Sequence, residues 1–219
     1  MIEPQFDGFA PGYAAGCPQL VYTRLVADME TPVSAFLKLG EGRDNAFLLE
    51  SVQGGETRGR YSIIGLKPDL VWRCRGGVAE INRAALTTDT FTEETARPLE
   101  SLRALTRDIR MDVPAGLPPM AAGLFGYLGY DMAREVEYLP NPPPDTLGLP
   151  DAILLRPTIT AIFDSVKDEI VLVTPVWPGA GVDASTAYTR AVARLEDAVA
   201  DLEKPAPPAP PVPEHLPTD

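Results

Sequence analysis

The sequence predicts an α+β fold in which largely antiparallel sheets are flanked by helices. Runs typical of strands outnumber those typical of helices, and most follow one another directly along the chain. Consecutive strands favour antiparallel pairing over a doubly wound parallel sheet, in which strands and helices alternate. Hydrophobic residues make up 45% of the 219 residues and charged residues 23%, so the chain can bury a core.

The first two predicted elements are a strand and a short helix. Residues 20–26 form an apolar, β-rich run that predicts a strand. Thr31 and Pro32 then predict a helix start, because a Thr hydroxyl caps free N–H groups and the first helical position tolerates proline. Gly40 predicts the end of this helix.

A meander of antiparallel strands is predicted next. The β-rich runs are separated by Gly54-Gly55, Lys67-Pro68 and Gly76-Gly77, which are pairs typical of turns. The strands predicted in this way cover residues 46–52, 60–66, 69–75 and 78–82.

The second half of the chain predicts two helices and three further strands. Apolar residues at helical spacing predict a helix over residues 98–109, namely Leu99, Leu102, Leu105 and Ile109. A similar stripe predicts an amphipathic helix over residues 184–203, formed by Tyr188, Val192, Leu195, Val199 and Leu202. The strands predicted between these helices cover residues 121–130, 154–164 and 169–176.

Charge and composition exclude several classes of partner. The 19 Lys and Arg residues against 31 Asp and Glu residues give a net charge of −12, which repels nucleic-acid backbones and anionic lipids. We therefore expect no nucleic acid and no membrane as partner. No apolar run is long enough to span a bilayer, and the start lacks the pattern of a signal peptide, so a cytoplasmic protein is predicted.

Histidine and cysteine are too scarce for several kinds of site. His215, the only histidine, lies in a proline-rich tract, where it cannot serve a Ser-His-Asp triad or a histidine-ligated metal centre in a folded region. Cys17 and Cys74 are too few for a disulfide scaffold or for a zinc site made of cysteines. We expect no metal site in this chain.

Three segments are predicted along the chain. Residues 1–19 form an N-terminal arm, and residues 20–203 form the folded domain. Residues 204–219 contain seven prolines, which remove backbone donors and predict a polyproline-like linker. Because a linker usually joins two folded parts, we expect the sequence to be the front part of a longer polypeptide; the alternative is a free disordered tail.

The segment Phe47-Leu48-Leu49-Glu50-Ser51-Val52 is the least ordinary strand of the meander. Side chains of an extended strand alternate, so Glu50 and Ser51 face opposite sides unless the strand bulges. An ordinary strand end with a solvated Glu50 remains the simpler interpretation of the pattern by itself.

Three glycines and four arginines leave two interpretations open. Gly123, Gly126 and Gly129 match neither a dinucleotide fingerprint nor a P-loop, and within a strand such glycines mark a bulge or the close approach of a backbone or ligand. Local positive charge is supplied by Arg58, Arg60, Arg73 and Arg75. An arginine offers the forked, permanent charge that a carboxylate ligand would need, although solvated strand residues have the same pattern.

Three segments, in order along the chain, resemble the amino-terminal region of anthranilate synthase component I. The similarity runs from about residue 20 to about residue 177. The matching segments are TPVSAF at residues 31–36, FLLESV at 47–52 together with GRYSIIG at 59–65, and GLFGYLGYD at 123–131.

The resemblance implies an activity that this chain holds only in part. Enzymes of the family convert chorismate and ammonia to anthranilate and pyruvate, use magnesium, and usually take the ammonia from a glutamine amidotransferase subunit. Their chorismate and magnesium ligands lie in a carboxy-terminal region that has no counterpart here. The resemblance therefore implies no catalytic residue and no cofactor in this chain, and no lyase activity of the chain alone.

The resemblance also implies a partial site for tryptophan, the feedback inhibitor of the family. The family's site residues map onto Pro32, Leu48, Leu49, Glu50 and Ser51, and onto a more variable stretch at Arg60, Tyr61 and Ser62. If Ser51 faces the ligand, the alternation of the strand predicts that Glu50 contributes through its main chain or packs against the carboxy-terminal region. With half of a site, the chain alone is expected to have little affinity for tryptophan.

Two alternatives remain open from the sequence. The front part of aminodeoxychorismate synthase component I is related, but it commonly has a different acidic residue before the serine, so Glu50 favours anthranilate synthase. The other alternative is a stand-alone amino-acid-sensing or interaction module that never meets chorismate.

Overall fold

A computed structural model describes residues 1–40, 42–51, 59–141 and 144–208. Within these residues the chain forms eight strands, four α-helices and one 3₁₀ helix. The helices are α1 (Phe6–Ala14), α2 (Pro32–Gly40), α3 (Pro98–Asp108) and α4 (Ala184–Glu203), and the 3₁₀ helix is Tyr130–Glu135. The strands are β1 (Gln19–Val26), β2 (Phe47–Leu49), β3 (Tyr61–Arg75), β4 (Val78–Asn82), β5 (Thr92–Glu93), β6 (Phe125–Leu128), β7 (Ala152–Asp164) and β8 (Glu169–Val176).

All strand pairs are antiparallel, which confirms the predicted α+β class. The order is β1-β8-β7-β3-β4-β5, with β2 added to β3 and β6 added to β7. The two long central strands, β3 and β7, are shared by two halves of the sheet. In what we call the groove half they are flanked by β2 and β8, and in the hairpin half by β4 and β6.

The predicted break at Lys67-Pro68 is wrong, because both predicted strands belong to β3. The register against β7 shifts between Pro68 and Leu70, so Asp69 is the extra residue of a bulge. Lys67 has a φ of 48°, and its carbonyl accepts a hydrogen bond from Thr158 Oγ1 over 2.7 Å. A bulge tolerates proline, which has no N–H for the ladder, and the strand bends there without ending.

Helices α1, α2 and α4 cover one face of the groove half. The predicted bounds of α4 are correct, and Asp183 caps the helix by accepting a hydrogen bond from the Thr186 N–H over 2.8 Å. The buried stripe of α4 keeps the predicted Leu195 and Leu202, but three alanines take the place of the other predicted residues. The buried residues are Ala187, Ala191, Leu195, Ala198 and Leu202. Small residues let the helix lie close to the sheet, which hydrophobicity alone does not indicate.

Helix α1 lies inside the segment that was predicted as an N-terminal arm. Phe9 and Tyr13 are buried against α4 and the sheet, so this segment belongs to the core. Pro11 stands within the helix, and Gly8 and Gly12 flank it. These residues disfavour an isolated helix, and tertiary packing overrides that preference.

Two further cores complete the domain. In the hairpin half, α3 and the 3₁₀ helix cover β3 and β4 around Trp72, Leu105 and Met132. The second face of the groove half is covered by a loop that contributes Leu117 and Ala121. Both faces of β8 are therefore buried.

Several predicted strand bounds change. The strand predicted at residues 121–130 is limited to β6, and the short β5 was not predicted. In the predicted strand 46–52 only three residues form β2, and Val52 and the Gly54-Gly55 turn lie outside the described residues. No helix in the described part of the chain is long and apolar enough to cross a bilayer.

Candidate functional site

A groove of about 320 Å³ lies between the start of α2, the end of β2 and the turn from β7 to β8. Predicted site residues from three separate segments line it, namely Pro32, Glu50, Ser51, Arg60 and Ser62. Lining residues that the sequence analysis did not select include Glu30, Phe163, Asp164, Asp168 and Glu169. The fold therefore brings together most of the residues proposed from the resemblance.

The start of α2 forms one wall of the groove. Thr31 Oγ1 accepts a hydrogen bond from the Ser34 N–H over 3.1 Å, and Ser34 Oγ accepts one from the Thr31 N–H over 2.9 Å. This reciprocal cap confirms the predicted helix start and places Pro32 in the first turn. Ser34 Oγ also donates to Glu30 over 2.8 Å, and Lys38 forms an ion pair with the same carboxylate.

Glu50 and Ser51 both line the groove, contrary to the alternation expected for a continuous strand. Strand β2 ends at Leu49, so the two residues that follow are no longer bound to opposite faces. The Ser51 N–H donates a hydrogen bond to Ser62 Oγ over 3.1 Å. Because its main chain is anchored to β3 in this way, Ser51 keeps a defined place at the groove.

An aromatic contact holds β2 in its register. The ring of Phe47 lies over Gly65 of β3, where an added Cβ would come within 2.1 Å of a ring carbon. On its other side the ring stacks on Phe125 of β6, with centroids 5.3 Å apart. Two of the segments that carry the resemblance, around Leu49 and around Gly126, are therefore joined through one pair of rings.

Arg60 is bound to the chain's own carboxylate. Its Nε and Nη2 lie 2.7 and 2.6 Å from the two carboxylate oxygens of Asp164, whose side chain is 1% exposed. The hydrogen bonds from Arg60 lower the pKa of Asp164 despite its burial, and the N–H groups of Val166 and Lys167 act in the same direction. The hydrogen bond to Asp164 raises the pKa of Arg60. Arg60 therefore shapes the groove, with one edge of its guanidinium already occupied.

Replacing Asp164 by asparagine is expected to destabilise the domain most at neutral pH. A neutral amide cannot form the charge-assisted bidentate pair, so the guanidinium loses its partner. Because folding lowers the pKa of Asp164, the carboxylate's contribution is complete above its ordinary pKa of about 4. That contribution is lost as the pH falls through the lower value of the folded state.

Denaturant unfolding from about pH 7 down to about pH 2 measures this difference in stability. The difference in the free energy of unfolding between wild type and Asp164→Asn should become smaller towards acid pH. Asp168→Asn is a matched control, since Asp168 is exposed, lies in the same turn and has a φ of 52°, which asparagine tolerates. A difference in unfolding free energy that stays constant with pH would contradict a stabilising ion pair between Asp164 and Arg60.

Three predicted site residues lie away from the groove. Leu48 is half-buried and packs against the core beneath α2 and α4. Leu49 is 48% exposed at the end of β2. Tyr61 is half-buried on the other face of the sheet, where the Arg60 guanidinium lies 5.0 Å from its ring centroid.

The groove is acidic. Five carboxylates and one guanidinium line it, and three of the carboxylates have ion pairs, those of Glu30, Asp164 and Glu169. Within the described ranges Glu50 has no ion-pair partner. The only sequence signal for the Asp164 carboxylate is its place at the end of a predicted strand, just before a turn. Its pairing with Arg60 spans 104 residues of sequence, which no local pattern reveals.

The described residues contain no cluster of three or more acidic, histidine or cysteine side chains with the geometry of a metal site. Both cysteines are free thiols, and burial raises the pKa of Cys74 to about 11. His215 lies outside the described residues.

Fold and groove together define an α+β domain whose antiparallel sheet carries an open, acidic groove. No protein-family model matches the chain. Anthranilate synthase component 1 of Cereibacter sphaeroides is 54% identical over 205 residues, which are 93% of this chain and 41% of that protein. The protein of the same name in Synechocystis sp. is 38% identical over 210 residues, which are 95% of this chain and 41% of that protein.

Among solved structures, anthranilate synthase component I from Streptococcus pneumoniae TIGR4 shares the fold. Its TM-score is 0.51 at 22% identity, over 84% of this chain and 38% of that one. The chain belongs to the anthranilate synthase component 1 family and corresponds to an amino-terminal part of such a protein. It spans about two fifths of the length of the relatives quoted.

Proposed function

We propose that this chain is the feedback-regulatory, amino-terminal part of an anthranilate synthase component I, and that the groove between α2 and β2 binds tryptophan. One observation carries the proposal. Pro32, Glu50, Ser51 and Ser62, which were selected from the family resemblance, come from three segments and line one groove.

The chemistry of the groove suits one end of an amino acid. A ligand ammonium group needs an acceptor with a spare charge, and Glu50 has no ion-pair partner among the described residues. Ser51 adds a hydroxyl beside it, and Pro32, Ala27 and Phe163 add apolar wall for a ring. The excess of carboxylates disfavours the ligand's carboxylate, which would bind to groups outside this chain.

The groove would then be one half of a site whose other half lies in the region that this chain lacks. A second surface of the domain has the properties of a surface that the carboxy-terminal region would cover. Around β6 and the 3₁₀ helix several large apolar side chains are exposed, namely Leu128, Tyr130, Val136, Tyr138, Leu147 and Leu149. Exposed apolar surface of this kind marks an interface, and we assign it to the carboxy-terminal region of the complete protein.

The complete protein would convert chorismate and ammonia to anthranilate and pyruvate in the cytoplasm. Its carboxy-terminal region would hold chorismate and magnesium, and a glutamine amidotransferase subunit would supply the ammonia. Tryptophan at the seam would inhibit only by binding the inactive arrangement of the two regions more tightly than the active one. A tenfold effect requires a preference of about 1.4 kcal/mol.

A chimeric enzyme tests the proposal directly. This chain is joined to the carboxy-terminal part of the Cereibacter sphaeroides relative, and anthranilate formation is measured with chorismate, ammonium and magnesium. We expect turnover that tryptophan inhibits. Glu50→Gln and Ser51→Ala should each raise the half-inhibitory tryptophan concentration about tenfold or more, because the first removes the negative charge that faces the ligand's ammonium group and the second removes a hydroxyl acceptor.

Matched controls separate the groove from general effects of substitution. Glu93→Gln and Ser185→Ala change exposed residues far from the groove and should leave inhibition unaltered. Undiminished inhibition in the Ser51→Ala chimera would overturn the assignment of the groove. Turnover by the present chain alone, or micromolar tryptophan binding to it in calorimetry, would overturn the half-site.

A further inference from the structure

A second cavity, of about 220 Å³, lies between α4 and the bulge of β3. We call it the arginine cavity. Arg190 and Arg194 of α4, Asp69 of the bulge and Trp177 line it together with Tyr13 and Pro175. It is separate from the groove between α2 and β2, which we call the tryptophan groove, and no residue lines both.

The charges of this cavity are not balanced. Arg194 donates from Nε to the buried Thr174 Oγ1 over 2.9 Å, which is a neutral partner. The carboxylate of Asp69 is occupied on both oxygens by Arg156, at 2.7 and 2.9 Å. Among the described residues neither Arg190 nor Arg194 has an ion-pair partner. Two such arginines side by side are unexpected in a chain with a net charge of −12.

The surroundings of Arg194 act on its charged form in opposing directions. Burial lowers the pKa of Arg194, the carboxylate of Asp69 raises it, and the neighbouring charge of Arg190 lowers it further. Arg194 is half-buried beside the exposed Arg190, and two like charges side by side gain from an added anion.

Trp177 also lines the cavity. Its indole Nε1 is buried and has no acceptor within the described part of the chain. The Arg156 guanidinium lies 4.6 Å from the centroid of the ring and holds it against β7. The nitrogen itself is closed to solvent, so Trp177 serves as a wall of the cavity and not as a donor to a ligand.

We propose that the arginine cavity binds a small organic carboxylate. A carboxylate offers two oxygens, which match the forked donors of Arg194 and of the adjacent Arg190. The apolar side chains of Pro175 and Val182 and the ring of Tyr13 provide wall for a compact hydrocarbon body. The volume is too small for a nucleotide. This inference is independent of the function proposed for the tryptophan groove.

Indole N–H resonances measure binding with an internal reference. The chain has two tryptophans, and Trp72 already donates to Ser101 Oγ over 3.0 Å. Titration with benzoate should shift the Trp177 N–H resonance, because the ring lines the cavity, and leave that of Trp72 in place. Trp177→Phe assigns the resonances. Benzamide, which has the same shape and no charge, should move neither.

Variants of the two arginines test the assignment. Arg194→Met, which keeps much of the side-chain volume, should weaken benzoate binding roughly tenfold or more. Arg190→Gln changes an exposed residue that the fold does not need, and should weaken it several-fold. Arg103→Gln, on exposed α3 surface, should have no effect.

Three results would overturn the proposal. The first is an equal response to benzoate and benzamide, which would indicate an apolar cavity only. The second is wild-type affinity in both Arg190→Gln and Arg194→Met. The third is tighter binding of inorganic phosphate than of benzoate, which would replace the carboxylate class by phosphate.

Discussion

Replacing Trp72 by alanine is expected to lower the free energy of unfolding by about 3–5 kcal/mol. Trp72 is completely buried at the centre of the hairpin half. Its indole N–H donates to Ser101 Oγ of α3, so the side chain joins the sheet to the helix both by volume and by a hydrogen bond. Alanine would leave a cavity between the two layers and remove the donor to Ser101 Oγ, which would keep only its longer hydrogen bond to Glu94, of 3.4 Å.

The other tryptophan of the chain provides a matched comparison. Trp72→Phe keeps most of the apolar volume but leaves the buried Ser101 hydroxyl without its donor, at an expected cost of about 1–3 kcal/mol. Trp177→Phe removes an N–H that has no acceptor among the described residues, and should cost less. Urea unfolding followed by far-UV circular dichroism ranks the variants. A larger loss for Trp177→Phe than for Trp72→Phe would contradict this account.

Replacing Gly126 by alanine is expected to cost about 3 kcal/mol or more. Gly126 has a φ of 154°, which a residue with a Cβ rarely adopts, at roughly 1–3 kcal/mol. The added Cβ would also lie 2.0 Å from the carbonyl oxygen of Ile153 on the paired strand. A backbone atom cannot move aside like the end of a flexible side chain, so β6 must shift, at roughly a further 1–3 kcal/mol.

Gly123→Ala separates the two causes. Gly123 has the same φ of 154°, but nothing lies within 4 Å of its added Cβ. Gly123→Ala should show only the conformational cost. Its loss of unfolding free energy, measured by thermal or denaturant unfolding, should therefore be smaller than that of Gly126→Ala. Equal losses at the two positions would show that the contact with Ile153 is unimportant.

The Gly126→Ala substitution should also act on the groove at a distance. Displacing β6 moves Phe125, whose ring stacks on Phe47 of β2. Strand β2 leads directly into Glu50 and Ser51. In the chimeric enzyme we therefore expect Gly126→Ala to weaken inhibition by tryptophan although the residue does not line the groove. Unchanged inhibition in a folded variant would exclude this coupling.

Elements with strong local signals were predicted closely. The bounds of β8 and α4 agree with the prediction, and α2 begins at the proline that the capping pattern indicated. Helix α1 was missed because Pro11 and its glycine neighbours disfavour a helix, and only the burial of Phe9 and Tyr13 compensates. The continuity of β3 through Pro68 was missed because proline normally ends a strand, whereas here a bulge accommodates it.

For the glycines of residues 123–131 the sequence pattern left two structural interpretations open. They indicated either a bulge or the close approach of another backbone, and Gly126 is the second case. Arg60 was considered for a ligand carboxylate, yet its partner is Asp164 at the far end of another strand. Neither choice can be made without knowing which strands pair.

The amino-acid sequence by itself determined the α+β class, most helix and strand positions and the family resemblance, because caps, turn residues and side-chain alternation are local properties. Only the tertiary structure decided that Glu50 and Ser51 share one groove, that Arg60 is already paired, and that two arginines without ion-pair partners in the described chain line one cavity with Trp177. Those contacts join residues far apart along the chain, so they depend on the register of the paired strands and on the packing of α4 against the sheet.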